Sequence, residues 1–126
     1  MEIGDVYLPT NRVIDDHPRI VISDPDLNPV QVVLVNFTGF EGEFRDHSCI
    51  IEVGEHPWLT KKTCISYKDA SVVAQVDVDK LIESGRLKLL TPVSDEVLAR
   101  ILSGAEISDE LPNRCRRILS HQSLIP

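Results

Sequence analysis

The chain has 126 residues, 42% of them hydrophobic and 26% charged: room for one domain with one core, too short for two, and too apolar for a disordered chain. Thirteen Lys and Arg against twenty Asp and Glu leave a formal net charge of −7, so any contact with nucleic acid or anionic lipid must come from a local patch working against the overall field. No apolar run approaches the roughly 20 residues needed to cross a bilayer, and Met1-Glu2-Ile3-Gly4-Asp5 lacks a charged, then apolar, leader. A cytoplasmic protein with no membrane contact is expected.

The first two-thirds reads as β-structure. Val6-Tyr7-Leu8 is a short apolar run closed by Pro9, and Arg19-Ile20-Val21-Ile22 is β-branched and stopped by the turn residues Ser23-Asp24-Pro25-Asp26. Val30 to Phe37 is almost continuously apolar, the mark of a strand covered on both faces, and Thr38-Gly39 ends it ahead of a polar loop at Glu41-Gly42-Glu43. Cys49 to Val53, Thr63 to Tyr67 and Val72 to Val78 are the next strands expected. Helical signals come late. Asp79 to Ser84 spans about one and a half turns before Gly85, and Leu87 to Leu90 is a last short strand. Ser94 caps a helix whose apolar stripe is Val97, Leu98, Ile101 and Leu102, with Gly104 expected as its left-handed stop. Ser108-Asp109-Glu110 repeats the capping pattern before a second stripe of Leu111, Cys115, Ile118 and Leu119, and Ser120 to Pro126 reads as a frayed tail. The pattern predicts a mainly β, α+β fold: one domain over 1–126, with a small SH3-like, strongly bent or partly closed barrel over about 3–93 and one or two helices over about 94–121.

Strong chemical motifs are missing. The three cysteines, Cys49, Cys64 and Cys115, are odd in number and unevenly spaced, which reads as reduced, buried thiols. His47, Cys49, His56 and Cys64 are zinc-type residues without a standard ligand spacing, so neither a metal nor a cofactor is expected. No nucleophile elbow or phosphate-binding glycine loop is present. What remains is an order of elements. Gly4-Asp5-Val6-Tyr7 opens the first strand, Asp16-His17-Pro18 leads into Arg19-Ile20-Val21-Ile22, a later strand closes on Thr38, and a capped helix follows the last strand.

Over roughly residues 3–104 this order resembles the MazF/PemK (Kid) family of bacterial toxin ribonucleases. The resemblance implies an SH3-like barrel, a homodimer, a cognate antitoxin protein as partner, and metal-independent cleavage of single-stranded RNA through attack of a ribose 2′-hydroxyl on the adjacent phosphorus. Thr38 matches the family threonine. His17 stands where the family has arginine before proline, with Arg19 two places on. On this reading His17 is the general acid or base, Arg19 the phosphate clamp and Thr38 a positioning hydrogen bond. In the loop Glu55 to Lys62, His56, Trp58, Lys61 and Lys62 offer an imidazole, a flat ring and two ammonium groups for a nucleotide.

Plainer roles compete at each position. His17 also reads as a loop histidine capping a carbonyl, His56-Pro57 as a turn, Trp58 as a lid on the core, Lys61-Lys62 as a solvated turn and Thr38 as a strand end. Arg114, Arg116 and Arg117 read as the outer face of the last helix. The departure from arginine at His17 and the charge of −7 favour the alternative function, a non-catalytic protein-interaction module on the same barrel.

Overall fold

A computed structural model describes residues 1–10, 17–40 and 46–126. The polar loop expected at Glu41-Gly42-Glu43 lies outside them. The described residues form a mixed α+β fold: β1 (Val6–Pro9), β2 (Arg19–Val21), β3 (Gln31–Gly39), β4 (Ile50–Ile51), β5 (Thr63–Ala74), α1 (Gln75–Glu83), β6 (Leu87–Leu90), α2 (Asp95–Ile107) and α3 (Asn113–His121). The strands make one antiparallel sheet in the order β4-β5-β3-β2-β1-β6.

β3 is the centre of this sheet, and its alternation divides the core in two. Val33, Val35 and Phe37 point to one face, where they join Ile20, Ile22, Ile65 and Tyr67 under Val97, Ile101 and Ala105 of α2 and Cys115 and Leu119 of α3. Val32 and Leu34 point to the other, where a smaller cluster gathers Tyr7, Val21 and Leu87 with Val78 of α1. The continuous apolar run is thus a strand with an apolar layer on each side.

The sheet is drawn partly closed by the loop after β4. With His56 in its Nε2–H tautomer, the His56 and Trp58 rings both donate to the Thr91 carbonyl, each at 3.2 Å, just beyond β6 at the opposite edge. Arg100 of α2 adds a second tie, donating to the Ile50 carbonyl and to Glu55.

Four local expectations are corrected. Val72 to Val78 is not one strand: β5 runs to Ala74 and α1 begins at Gln75. Val76 and Val78 alternate as in a strand, but a helix puts Val78 and Ile82 on one face, and both pack in the smaller cluster. Gly104 does not end α2, which continues to Ile107. An added Cβ there would collide with the Tyr67 hydroxyl and lie 2.9 Å from Cys49 Cβ and the Ser48 carbonyl, so the glycine serves close packing. Ser108 does not cap α3. It follows the end of α2, donating its hydroxyl to Asp46 and accepting from the Glu110 N–H, while Pro112 precedes α3. The tail is packed rather than frayed, with Ile125 buried, the Leu124 N–H donating to the Leu119 carbonyl and the Ser120 hydroxyl to the Pro126 carbonyl.

Candidate functional site

The β2–β3 register builds the site. Arg19 lies opposite Asn36, Ile20 opposite Val35 and Val21 opposite Leu34. The Phe37 N–H donates to the Pro18 carbonyl at 2.9 Å, so the alignment persists one step beyond β2. Directly opposed side chains share a sheet face, with Cβ atoms about 5 Å apart. His17 and Thr38, twenty-one positions apart in sequence, line one cavity of about 250 Å³ together with Trp58 and Lys61. Phe37 and Leu59 also line it, and with Trp58 they belong to or pack against the larger core under α2 and α3.

Arg19 sits one row away, on the face carrying α1. Two residues of strand amount to roughly 7 Å, and its guanidinium lines a neighbouring cavity of about 410 Å³ between the sheet and α1. Its Nε donates to Asn36 Oδ1 at 3.3 Å. The His17 cavity therefore draws its cation from Lys61 rather than from Arg19.

The loop residues divide similarly. Trp58 lines the His17 cavity, but its indole N–H is committed to Thr91 and its ring meets Phe37 edge-on at 5.0 Å. His56 is only 4% exposed, stacks edge-on against Trp58 at 4.5 Å and bonds Thr91. Burial holds its pKa below the ordinary histidine value, against the raising effect of the Thr91 carbonyl. It braces the wall behind Trp58. Lys62 turns aside, pairing with Glu52 at 3.6 Å and lying 4.7 Å from the centre of the Phe40 ring. Of the residues marked from the sequence, the structure gathers His17, Thr38, Trp58 and Lys61, and it sends Arg19, His56 and Lys62 elsewhere.

Several polar groups on this face escaped sequence reasoning. Asn36, Asp69, Ser71 and Tyr7 surround Arg19 in the larger cavity. A signal existed at Asn36, the single polar residue between Val32 and Phe37. None existed at Asp69, which depends on an irregularity in the β3–β5 ladder: Leu34 pairs with Ser71 and Asn36 with Ser66, so Val35 alone faces the four residues Tyr67 to Ala70. The bulge lets the Ser66 hydroxyl donate to Asp69 Oδ2 at 2.6 Å. Tyr7, opposite Arg19 on the other side, has its pKa pushed up to about 12 by burial and then by the charges of Asp5 and Asp79, so its phenol stays protonated.

The cysteines offer no nucleophile. All three are buried and unbridged, and burial pushes Cys49 up to about 11 and Cys115 upward as well. Among the described residues no group of three or more His, Cys, Asp or Glu side chains is placed to hold a metal ion, and no helix is long and apolar enough to cross a membrane. In comparisons with known proteins, the chain matches no family model and no curated sequence.

Proposed function

We propose that the chain is a toxin-like, metal-independent endoribonuclease acting on single-stranded RNA. The observation that supports this reading is that His17, Thr38 and Lys61 line one cavity. Transesterification needs a proton acceptor at the 2′-hydroxyl and stabilisation of the charge that gathers on phosphorus-bound oxygen. His17 takes the 2′-hydroxyl proton as the O2′–P bond forms. Thr38 donates to a non-bridging oxygen, and Lys61 offsets the charge. The P–O5′ bond breaks, the 5′-oxygen is reprotonated from solvent, and a cyclic phosphate remains. On this reading the chain works in the cytoplasm as a homodimer that covers the sheet edges β4 and β6, with an antitoxin protein as its regulator.

The test is incubation of end-labelled single-stranded RNA with purified protein in EDTA. Cleavage by the native chain and a loss of at least about 100-fold in His17→Ala, at an unchanged thermal midpoint, is the expected result. Intact RNA at high protein concentration refutes the proposal.

One observation favours the alternative of a protein-interaction module. Val76 on α1 and Leu89 on β6 are 57% and 56% exposed, on a chain of charge −7. That reading predicts no RNA binding even at low salt, where phosphate contacts are strongest.

A further inference from the structure

The cavity beneath α1 is not used by the cleavage chemistry, and its lining has an unusual division. On one side Arg19 and Asn36 present donors: the guanidinium donates through Nε to the Asn36 amide oxygen, so its two terminal nitrogens and the Asn36 amide nitrogen lie outside that bond. Across the cavity Asp69 presents a carboxylate, oriented by the Ser66 hydroxyl on one oxygen. No ion pair joins Arg19 to Asp69 among the described residues, so donors and acceptors face a common space without satisfying each other. The remaining walls combine apolar side chains, Leu34 of β3 and Val78 and Leu81 of α1, with the polar Tyr7, Ser71 and Asp77. A flat, largely apolar ligand with an edge of adjoining acceptors and donors matches this lining, and a volume of about 410 Å³ is in the range of small-molecule sites.

We infer that this cavity is a guanine-binding pocket, seating the base of a nucleotide next to the one whose phosphate lies at His17 and Thr38. Of the four RNA bases, guanine alone has two acceptors, O6 and N7, adjoining two donors, N1–H and the N2 amine. Arg19 and Asn36 donate to the first pair, the arrangement by which guanidinium groups select guanine. Asp69 accepts from the second pair. Adenine has no N1–H to offer a carboxylate, and inosine keeps N1–H but lacks the N2 amine. Arg19 lies two residues of extended chain from His17, and Asn36 two from Thr38, roughly 7 Å in each case, so the pocket adjoins the place of the phosphate. This pocket rests on the ribonuclease reading for its biological use but not for its chemistry.

Calorimetry on the full-length His17→Ala variant tests it with nucleosides, which carry no phosphate and need no cleavage. Guanosine binding at least tenfold tighter than inosine or adenosine supports the pocket, provided that it is lost in Asp69→Asn, where an acceptor becomes a donor, and in Leu81→Trp, which fills the space from the partly exposed helix. Equal affinity for the nucleosides, no binding at millimolar guanosine, or guanosine binding that survives both substitutions overturns it. The two readings fail separately. Guanosine binding by a native chain that leaves RNA intact removes the nuclease and keeps the pocket, whereas cleavage without guanine preference removes the pocket and keeps the nuclease.

Discussion

Gly104 sets two rules in opposition, which makes Gly104→Ala a test of the packing described above. Within α2, alanine is favoured over glycine by about 1 kcal/mol because it loses less backbone freedom on folding. The surroundings oppose this. The new Cβ would overlap the Tyr67 hydroxyl and stand 2.9 Å from Cys49 Cβ and from the Ser48 carbonyl, and the latter is backbone that yields little. The Tyr67 hydroxyl is buried and donates to the Ile101 carbonyl at 2.6 Å, so displacing it loses a hydrogen bond of about 1 kcal/mol. Overpacking of a filled core adds about 2 kcal/mol. Set against the helix gain, the substitution destabilises by about 2 kcal/mol, a fall of roughly 8 °C in Tm for a chain of this size. Thermal unfolding followed by circular dichroism measures it. A second measurement isolates the cause: in a Tyr67→Phe background, which removes the hydroxyl, the same substitution should lose about 1 kcal/mol of its effect, a coupling read from the double-mutant cycle. A Gly104→Ala protein more stable than the native chain, or equal effects in both backgrounds, would refute the packing argument.

Two further outcomes follow from buried titratable groups. His56 has a folded-state pKa below its unfolded value of about 6.5, so the unfolded chain binds the extra proton first. The stabilisation is complete above pH 6.5 and is lost as pH falls below it. Urea unfolding at pH 7.5 and 5.5 should show this acid loss in the native chain and less of it in His56→Gln; identical pH dependence would contradict the assignment. Cys49, Cys64 and Cys115 should resist a thiol reagent in native buffer and all three should react in denaturant, and rapid modification of a native thiol would show that the core opens.

The parts legible in the sequence were those decided locally. The strands at Val6, Arg19 and Leu87 and the cap at Ser94, whose hydroxyl accepts from the Val97 N–H at 3.1 Å, depend on residues within a few positions of one another. The failures share a different cause. Gly104 sits where a C-cap pattern would put it, and only the distant Tyr67 ring reveals its role. The boundary at Ala74 depends on Val78 and Ile82 finding a second apolar cluster on the far face of the sheet, a layer no periodicity announces. At the site, the pairing of Arg19 with Asn36 follows from register once β2 and β3 are known to be neighbours, and His17 and Thr38 come to one cavity just beyond it. Asp69 enters through a bulge, and a bulge shifts every later residue without a sequence mark of its own.

The two sheet faces differ because the helices differ in what they bury. α2 and α3 contribute Val97, Ile101, Ala105, Cys115 and Leu119 to the larger core, which leaves no room for polar side chains at β3 positions 33, 35 and 37. α1 contributes Val78 as its one fully buried residue. A helix anchored so lightly cannot cover the whole face, so positions 36 and 38 of β3 can be Asn36 and Thr38 without burying unpaired polar groups. The bulge in β5 widens the gap, because four residues spent opposite Val35 carry that strand away from regular pairing just where Arg19 and Asn36 emerge. A regular β5 with a second apolar residue on α1 would close the cavity and favour aliphatic side chains in their place. The polar row is therefore a consequence of incomplete cover on the α1 face.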